Sequence, residues 1–297
     1  MTISETAPDS GRFHYDGSRF GIAGLVLKVT ALSVLTLGVY SFWGRTQIRR
    51  VIWGAVSLDG DRLDYTGTGG ELLLGLLKAI AVLVGLGLAV SALGFGLRQL
   101  PAAETTQDIV AAALCVAVVG LGLAARYLAL RYRLSRTAWR GVPLSLGGRA
   151  GGLVRGALVY ALPAVLLAGP SLGLTLLWYR VREHRAWMPA VSVGGRRLES
   201  RLRFGQVLGP AVLMILIGAV ALAAVIGPHL VSILEAMRTQ TAPPDRVMAW
   251  LAAGFAACAV LAPATGFAVI GHPALKAACA AIAVADPPVS GGSGAGR

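Results

Sequence analysis

Long apolar stretches recur along this chain and constrain it more than any other feature. They run over roughly 20–42, 72–97, 109–130, 153–178, 207–233 and 247–271. The hydrocarbon core of a bilayer takes about 20 consecutive apolar residues per helix, so these stretches use up most of the chain. No separate soluble domain of ordinary size fits in what remains. Composition points the same way: of 297 residues, 56% are hydrophobic and 14% charged, with a mean hydropathy of +0.69, outside the range of soluble globular domains. The expectation is an all-α polytopic membrane protein.

The ends of the chain are polar. Residues 1–11 carry Glu5 and Asp9 where a secretory signal would carry a basic region, so no cleaved signal is expected. The run DPPVSGGSGAGR at 286–297 has the composition of a flexible tail. Both segments are expected to be disordered.

A net charge of +13 raises the question of nucleic acid, and arginine placement answers it. Arginines crowd the ends of apolar stretches: Arg45, Arg49 and Arg50; Arg126, Arg131, Arg133, Arg136 and Arg140; Arg180, Arg182, Arg185, Arg196, Arg197, Arg201 and Arg203. The connections 98–108 and 234–246 are instead balanced by Glu104, Asp108, Glu235 and Asp245. This is the positive-inside pattern of a bacterial cytoplasmic membrane protein, with the basic segments and the N-terminus inside. Tyr40, Phe42, Trp43, Trp53, Trp139, Trp178, Tyr179 and Trp187 flank the same segments as an interfacial belt does. With no base-stacking or groove-reading motif, nucleic-acid binding is not expected.

Counting every apolar stretch as a span fails at 153–178, because both flanks are basic. An internal repeat resolves this. FHYDGSRF at 13–20 is echoed by LSLGGRAG at 144–151, and WGAVSLDGDRL at 53–63 by both WRGVPLSLGG at 139–148 and WMPAVSVGGRRL at 187–198. TLGVYSFWGRTQIRR at 36–50 matches SLGLTLLWYRVREHR at 171–185. Two tandem membrane repeats, 12–138 and 139–285, follow. Each is expected to hold a re-entrant or interfacial helical hairpin, a small cytoplasmic β-hairpin and two transmembrane helices.

The first β-hairpin reads from Val56 and Leu58 through Asp59-Gly60 to Leu63 and Tyr65; the second, less regular, runs from Val191 through Gly194-Gly195 to Leu202 and Phe204. Short strands at 13–16 and 142–146 would join them, which returns both ends of each helical hairpin to the cytoplasm. The hairpins are expected to turn at Leu37-Gly38 and at Gly169-Pro170, with Pro163 upstream. About four full spans remain. A plain six-span count, with one violated charge boundary, is the alternative for 20–42 and 153–178.

Little here points to chemistry. The spans 80–97, 109–125, 207–233 and 247–271 hold no Asp or Glu, which disfavours a proton relay. Cys115, Cys258 and Cys279 are isolated, and the four histidines share no ligand spacing, so no metal or cofactor site is expected. Thr68 and Glu71 have capping-box spacing and mark a helix start. With no nucleophile elbow, phosphate loop or metalloprotease helix, no catalytic residue is named and no enzyme is expected. The candidate lipid or ligand contacts are Lys28, inside the first apolar stretch, and Arg45, Arg49, Arg50, Arg180, Arg182 and Arg185.

RFHYDGSRFG, LTLGVYSFWGRTQIRR and SLDGDRLDYTGTGGELL together resemble the YjgN-type bacterial inner-membrane proteins, and RYRLSRTAWRGVPLSLGG extends the resemblance through most of the chain. No closing strand is legible in 240–297. That family has no known function, so the resemblance implies location and repeat architecture, and no reaction. Two expectations stand: passage of a small solute or lipid at the repeat interface, or a non-transporting organiser that holds anionic lipid, or a partner protein, through its basic cytoplasmic segments.

Overall fold

A computed structural model describes residues 11–97, 122, 124–147, 159–160, 163–164 and 166–284. The chain is mostly helical, but it is not all-α: among the described residues nine short strands form two antiparallel sheets, β1 to β5 and β6 to β9. In order the elements are β1 (Phe13–Tyr15), α1 (Arg19–Leu35), α2 (Ser41–Gly54), β2 (Val56–Leu58), β3 (Asp61–Tyr65), α3 (Gly69–Leu97) and α4 (124–135). Then come β4 (Thr137–Trp139), β5 (Val142–Pro143), β6 (Ser145–Leu146), α5 (Leu174–Trp187), β7 (Val191–Val193) and β8 (Arg196–Ser200). The chain continues through α6 (Gly205–Ile226), α7 (Leu230–Thr239), α8 (Asp245–Gly266) and α9 (His272–Ala281) to β9 (Ile282–Val284).

The two sheets adjoin at both ends and form one ring. Segment 142–146 gives β5 to the first sheet and β6 to the second. At the other seam Arg12 bridges Ala283, and the Val284 amide donates to the Gly11 carbonyl at 2.9 Å. Closure removes the free edges that short strands would otherwise expose. Alternation decides what fills the ring: Phe13, Tyr15, Val56, Leu58, Leu63, Leu144, Val191, Val193 and Leu198 are buried in one cluster, while His14, Asp64 and Glu199 face outward. Each large apolar side chain buried there contributes about 1.5–3 kcal/mol, so the ring is the main packed core among the described residues.

The hydrogen bonds around the β2-β3 hairpin match those around the β7-β8 hairpin. Leu63, Asp64 and Tyr65 pair with Trp139, Ala138 and Thr137; Leu198, Glu199 and Ser200 pair with Val284, Ala283 and Ile282. The Thr66 amide donates to the Arg136 carbonyl at 2.8 Å, and the Arg201 amide to the Ala281 carbonyl at 2.9 Å. The Asp16 and Gly147 amides reach Ala55 and Ala190 in the same way. Helix starts agree as well: Thr68 and Glu71 exchange capping bonds, and Gln206 accepts from the Arg203 amide at 3.0 Å.

Because β1 pairs with β2 and each continues directly into a helix, α1 and α2 form a hairpin with both ends at the ring. It turns where expected, at Leu37 (φ 50°) and Gly38 (φ 90°), with the Gly38 amide bonded to Ser33 O at 2.6 Å. The second turn runs over 167–173 and takes in the expected Gly169-Pro170, with its positive-φ pair at Leu172 (φ 50°) and Gly173 (φ 83°). The αL position needs a residue that tolerates positive φ with a free amide, and the Gly173 amide donates to Ala168 O at 2.7 Å, a bond no proline can make. Matching hydroxyls brace both turns: Thr36 accepts from the Tyr40 amide, and Ser171 from the Thr175 amide.

Three further expectations are corrected. The second β-hairpin closes with Arg196–Ser200, leaving Leu202 and Phe204 beyond it; Leu202 instead packs beside Val181 and Val207. The hairpin at 56–65 matches 191–200 alone, because 139–148 spans the separate β4-β5 turn at Arg140-Gly141. A closing strand, β9, does exist. It was illegible because Ile282–Val284 continues an alanine-rich helix with no turn residue between them.

Among the described residues, three helices are long and apolar enough to cross a membrane: Gly69–Gly96, Gly205–Thr239 and Asp245–Ala281. Most of the expected span 109–125, together with Cys115 and both terminal segments, lies outside the described residues. Close approach fixes the helix packing. A Cβ on Gly44 would meet Val29 Cγ1 at 2.2 Å, and one on Gly254 would meet Val225 at 2.8 Å.

Candidate functional site

On the helical side of the ring α4 lies beside α5, and their facing positions follow helical periodicity. Arg126, Leu130, Arg133 and Leu134 make one stripe; Arg180, Glu183, His184 and Trp187 make the other. With Met188 and Val191 at its base, the stripes enclose a cleft of about 240 Å³. Its lining joins three arginines to the apolar Leu130, Leu134, Trp187, Met188 and Val191.

Glu183 is the one carboxylate lining this cleft. Its side chain is 12% exposed and takes Arg126 Nη2 on both oxygens at 2.6 Å, with Arg180 Nη1 at 3.6 Å. The Tyr179 hydroxyl donates to the same carboxylate at 3.2 Å, and the Arg126 guanidinium stands 5.7 Å from the Tyr179 ring. Arg126 and Arg180 are therefore partly compensated.

Arg133 is not. Its hydrogen bond runs to the carbonyl of Ala129, one turn back on its own helix, at 3.2 Å. Among the described residues it has no carboxylate partner. Burial, and then the charges of Arg49, Arg180 and Arg126, push its pKa below the ordinary arginine value. His184 lines the same cleft with a buried Nε2 that has no hydrogen-bond partner, and burial lowers its pKa.

The candidate residues named from sequence divide. Arg180 lines this site and Arg49 lies close enough to Arg133 to lower its pKa; Arg49 also donates to the Tyr65 hydroxyl at 3.3 Å. Arg182 is spread over Tyr160 and Trp178, 4.1 and 5.7 Å from their rings, and donates to the Tyr160 hydroxyl at 2.6 Å. Lys28, Arg45, Arg50 and Arg185 are exposed and separate from the cleft.

Arg126, Arg133, Glu183 and His184 were missed. The seven-residue spacing of the two arginines, and the positions of Arg180, Glu183, His184 and Trp187 three, four and seven apart, were the available signal. Which helix faced which was the missing information.

The corresponding place in the other half is shut. Aligned turn to turn and register to register, Ile48 stands for Glu183, Ile52 for Trp187, Leu275 for Leu130 and Cys279 for Leu134, all packed into the ring's cluster. Ala278 stands for Arg133. The cleft is therefore a feature of one half.

Glu71 anchors a second polar knot at 2.5 Å from both Arg136 and the Tyr132 hydroxyl. Its groups are mutually satisfied, so it ties α3 to α4. Cys258 and Cys279 are free thiols, and no group of three potential metal ligands occurs among the described residues.

No curated protein and no solved structure matches the chain. A bacterial family of unknown function does match, and its coverage, residues 10–285, takes in the whole ring, both helical hairpins and the cleft; the chain belongs to this family, DUF898.

Proposed function

We propose that this chain is a non-transporting organiser of the bacterial cytoplasmic membrane, built as two tandem repeats that hold anionic lipid at the cytoplasmic face. The resemblance to YjgN-type inner-membrane proteins agrees with that location. One observation carries the reading: cationic side chains gather where the helices meet the ring, while the opposite ends of the helical hairpins expose apolar surface. Val34, Leu35, Leu37 and Val39 at the first tip, and Leu166, Leu167 and Leu172 at the second, are all more than half exposed.

Such tips are stable only if lipid or protein covers them. α1 is 17 residues long, about 25 Å at ~1.5 Å per residue, so the hairpin dips into the bilayer and returns. Arg50, Arg182 and Arg185 then lie at head-group level, with Arg45, one turn into α2 from the tip, snorkelling towards it, and each basic residue near an anionic surface is worth about 1 kcal/mol. The passage reading needs a route through the centre, and the ring there is filled with side chains.

The test is native mass spectrometry of the purified chain. Exchanging Arg45, Arg50, Arg182 and Arg185 together for Gln should at least halve the retained anionic lipid. Unchanged lipid counts would end this reading, and solute or lipid flux in proteoliposomes above protein-free controls would favour passage.

A further inference from the structure

We infer that the cleft between α4 and α5 is a binding site for one phosphate monoester, held by Arg133, Arg126 and Arg180. Three guanidinium groups and one carboxylate line it, which leaves two positive charges uncompensated. A phosphate monoester near neutral pH carries a matching charge of almost −2 and three acceptor oxygens. Arginine's planar fork suits those oxygens.

Arg133 is the centre of the argument. A half-buried cation beside three other cations, bonded only to its own helix, is an arrangement that an anion stabilises and that nothing else among the described residues relieves. Arg126, by contrast, is already oriented by Glu183 and Tyr179.

The apolar lining of Leu130, Leu134, Trp187, Met188 and Val191 suits the carbon skeleton that the phosphate is esterified to. At about 240 Å³ the cleft falls below the usual range for drug-sized ligands, so it takes a head group and not a nucleotide. The filled counterpart at Ile48, Ile52, Leu275 and Cys279 fixes the stoichiometry at one per chain.

The site stands on its own geometry, and rests on the lipid-holding reading only for its preferred ligand, a lipid of the phosphatidic acid class over a soluble phosphate. The test uses the full chain in neutral detergent, titrated with glycerol 3-phosphate, dioctanoyl phosphatidic acid or dioctanoyl phosphatidylcholine and followed by thermal shift and calorimetry. The expected result is one-site stabilisation by phosphatidic acid and none by phosphatidylcholine. Response to glycerol 3-phosphate as well identifies the soluble ester as a ligand of the same site; response to phosphatidic acid alone identifies the lipid.

Arg133→Gln should weaken binding at least tenfold, and Arg133→Lys by less. Arg180→Gln, at a side chain 67% exposed, should weaken it about threefold without threatening the fold. Arg246→Gln, on α8, should change nothing. The inference is overturned if neither phosphate ester stabilises the protein, or if Arg133→Gln and Arg180→Gln both bind as the unaltered chain does. Loss of lipid in the Arg45, Arg50, Arg182 and Arg185 variant with intact phosphate binding, or the reverse, separates the site from the surface.

Discussion

Replacing Glu183 by Gln should move stability and phosphate affinity in opposite directions. The carboxylate binds Arg126 at 2.6 Å, lies 3.6 Å from Arg180, and is 12% exposed while Arg126 is 40% exposed. Breaking a fully buried ion pair from one side costs about 3–5 kcal/mol. Water reaches Arg126 and screens the charge left behind, so the loss here is about 1–2 kcal/mol. At roughly 2–4 °C per kcal/mol, the ligand-free protein should melt about 2–8 °C lower. Phosphate should bind roughly three- to tenfold tighter, because a like charge beside the ligand is gone and partly screened charges couple by ~1 kcal/mol. Differential scanning fluorimetry of the detergent-solubilised chain, with and without dioctanoyl phosphatidic acid, reads both effects. If Glu183→Gln melts unchanged, the ion pair is ornamental. If affinity falls along with stability, Glu183 shapes the cleft and the electrostatic account of it is wrong.

Other perturbations test the frame around the cleft. Gly44→Leu should lower the melting temperature by several degrees, since even a Cβ meets Val29 at 2.2 Å and overpacking costs about 1–3 kcal/mol; Gly24→Leu, where nothing lies within 4 Å, is the control. His184 gives a pH signature. Burial among Arg126, Arg133, Arg180, Glu183 and Trp187 lowers its pKa from the ordinary 6.5, so the unfolded chain takes up a proton below pH 6.5 that the folded chain refuses. Stability from this group is complete above pH 6.5 and falls as pH drops from there toward the folded pKa; His184→Gln should flatten that part of the melting curve against pH. Membrane-impermeant labelling of cysteines placed at the exposed Ser145 and Glu199 should find both on one side of the bilayer, because β6, β7 and β8 share a sheet; opposite sides would refute the closed ring.

The parts of this fold that were legible in the sequence were those written in local periodicity. Apolar length marked α3, α6 and α8, and the Asp59-Gly60 alternation marked the first hairpin, because these signals act between neighbouring residues. The second turn was legible at Gly169-Pro170, which lies within it, but its αL pair at Leu172-Gly173, which supplies the amide bonded to Ala168, was not. The closing of the ring depended on Arg12 meeting Ala283, a pairing between the two ends of the described chain that no local pattern encodes. The cleft was hidden for the same reason. Arg133 reads as one more arginine at the end of a span until α5 is set against it.

The way the two halves differ explains why the cleft arises where it does. Ring positions are constrained from within, so Leu63 and Leu198, or Val56 and Val191, stay apolar in both halves; a polar group there would be buried without a partner. Positions one layer out, where α4 meets α5 and α9 meets the first hairpin, carry no such requirement. In one half Ile48, Ile52, Leu275 and Cys279 extend the core outward; in the other Glu183, Arg126 and Arg133 interrupt it. Closing the cleft by apolar substitution should therefore be tolerated by the fold, since the chain already contains the packed solution. Leu130 and Leu134 already match Leu275 and Cys279 in character. A variant carrying Arg133→Ala, Glu183→Ile and Trp187→Ile, which copies Ala278, Ile48 and Ile52 into the open half, should fold and keep its surface-held lipid while losing phosphate binding altogether. If that variant still binds glycerol 3-phosphate or phosphatidic acid, the anion is held elsewhere, and the asymmetry between the halves has no bearing on ligand binding.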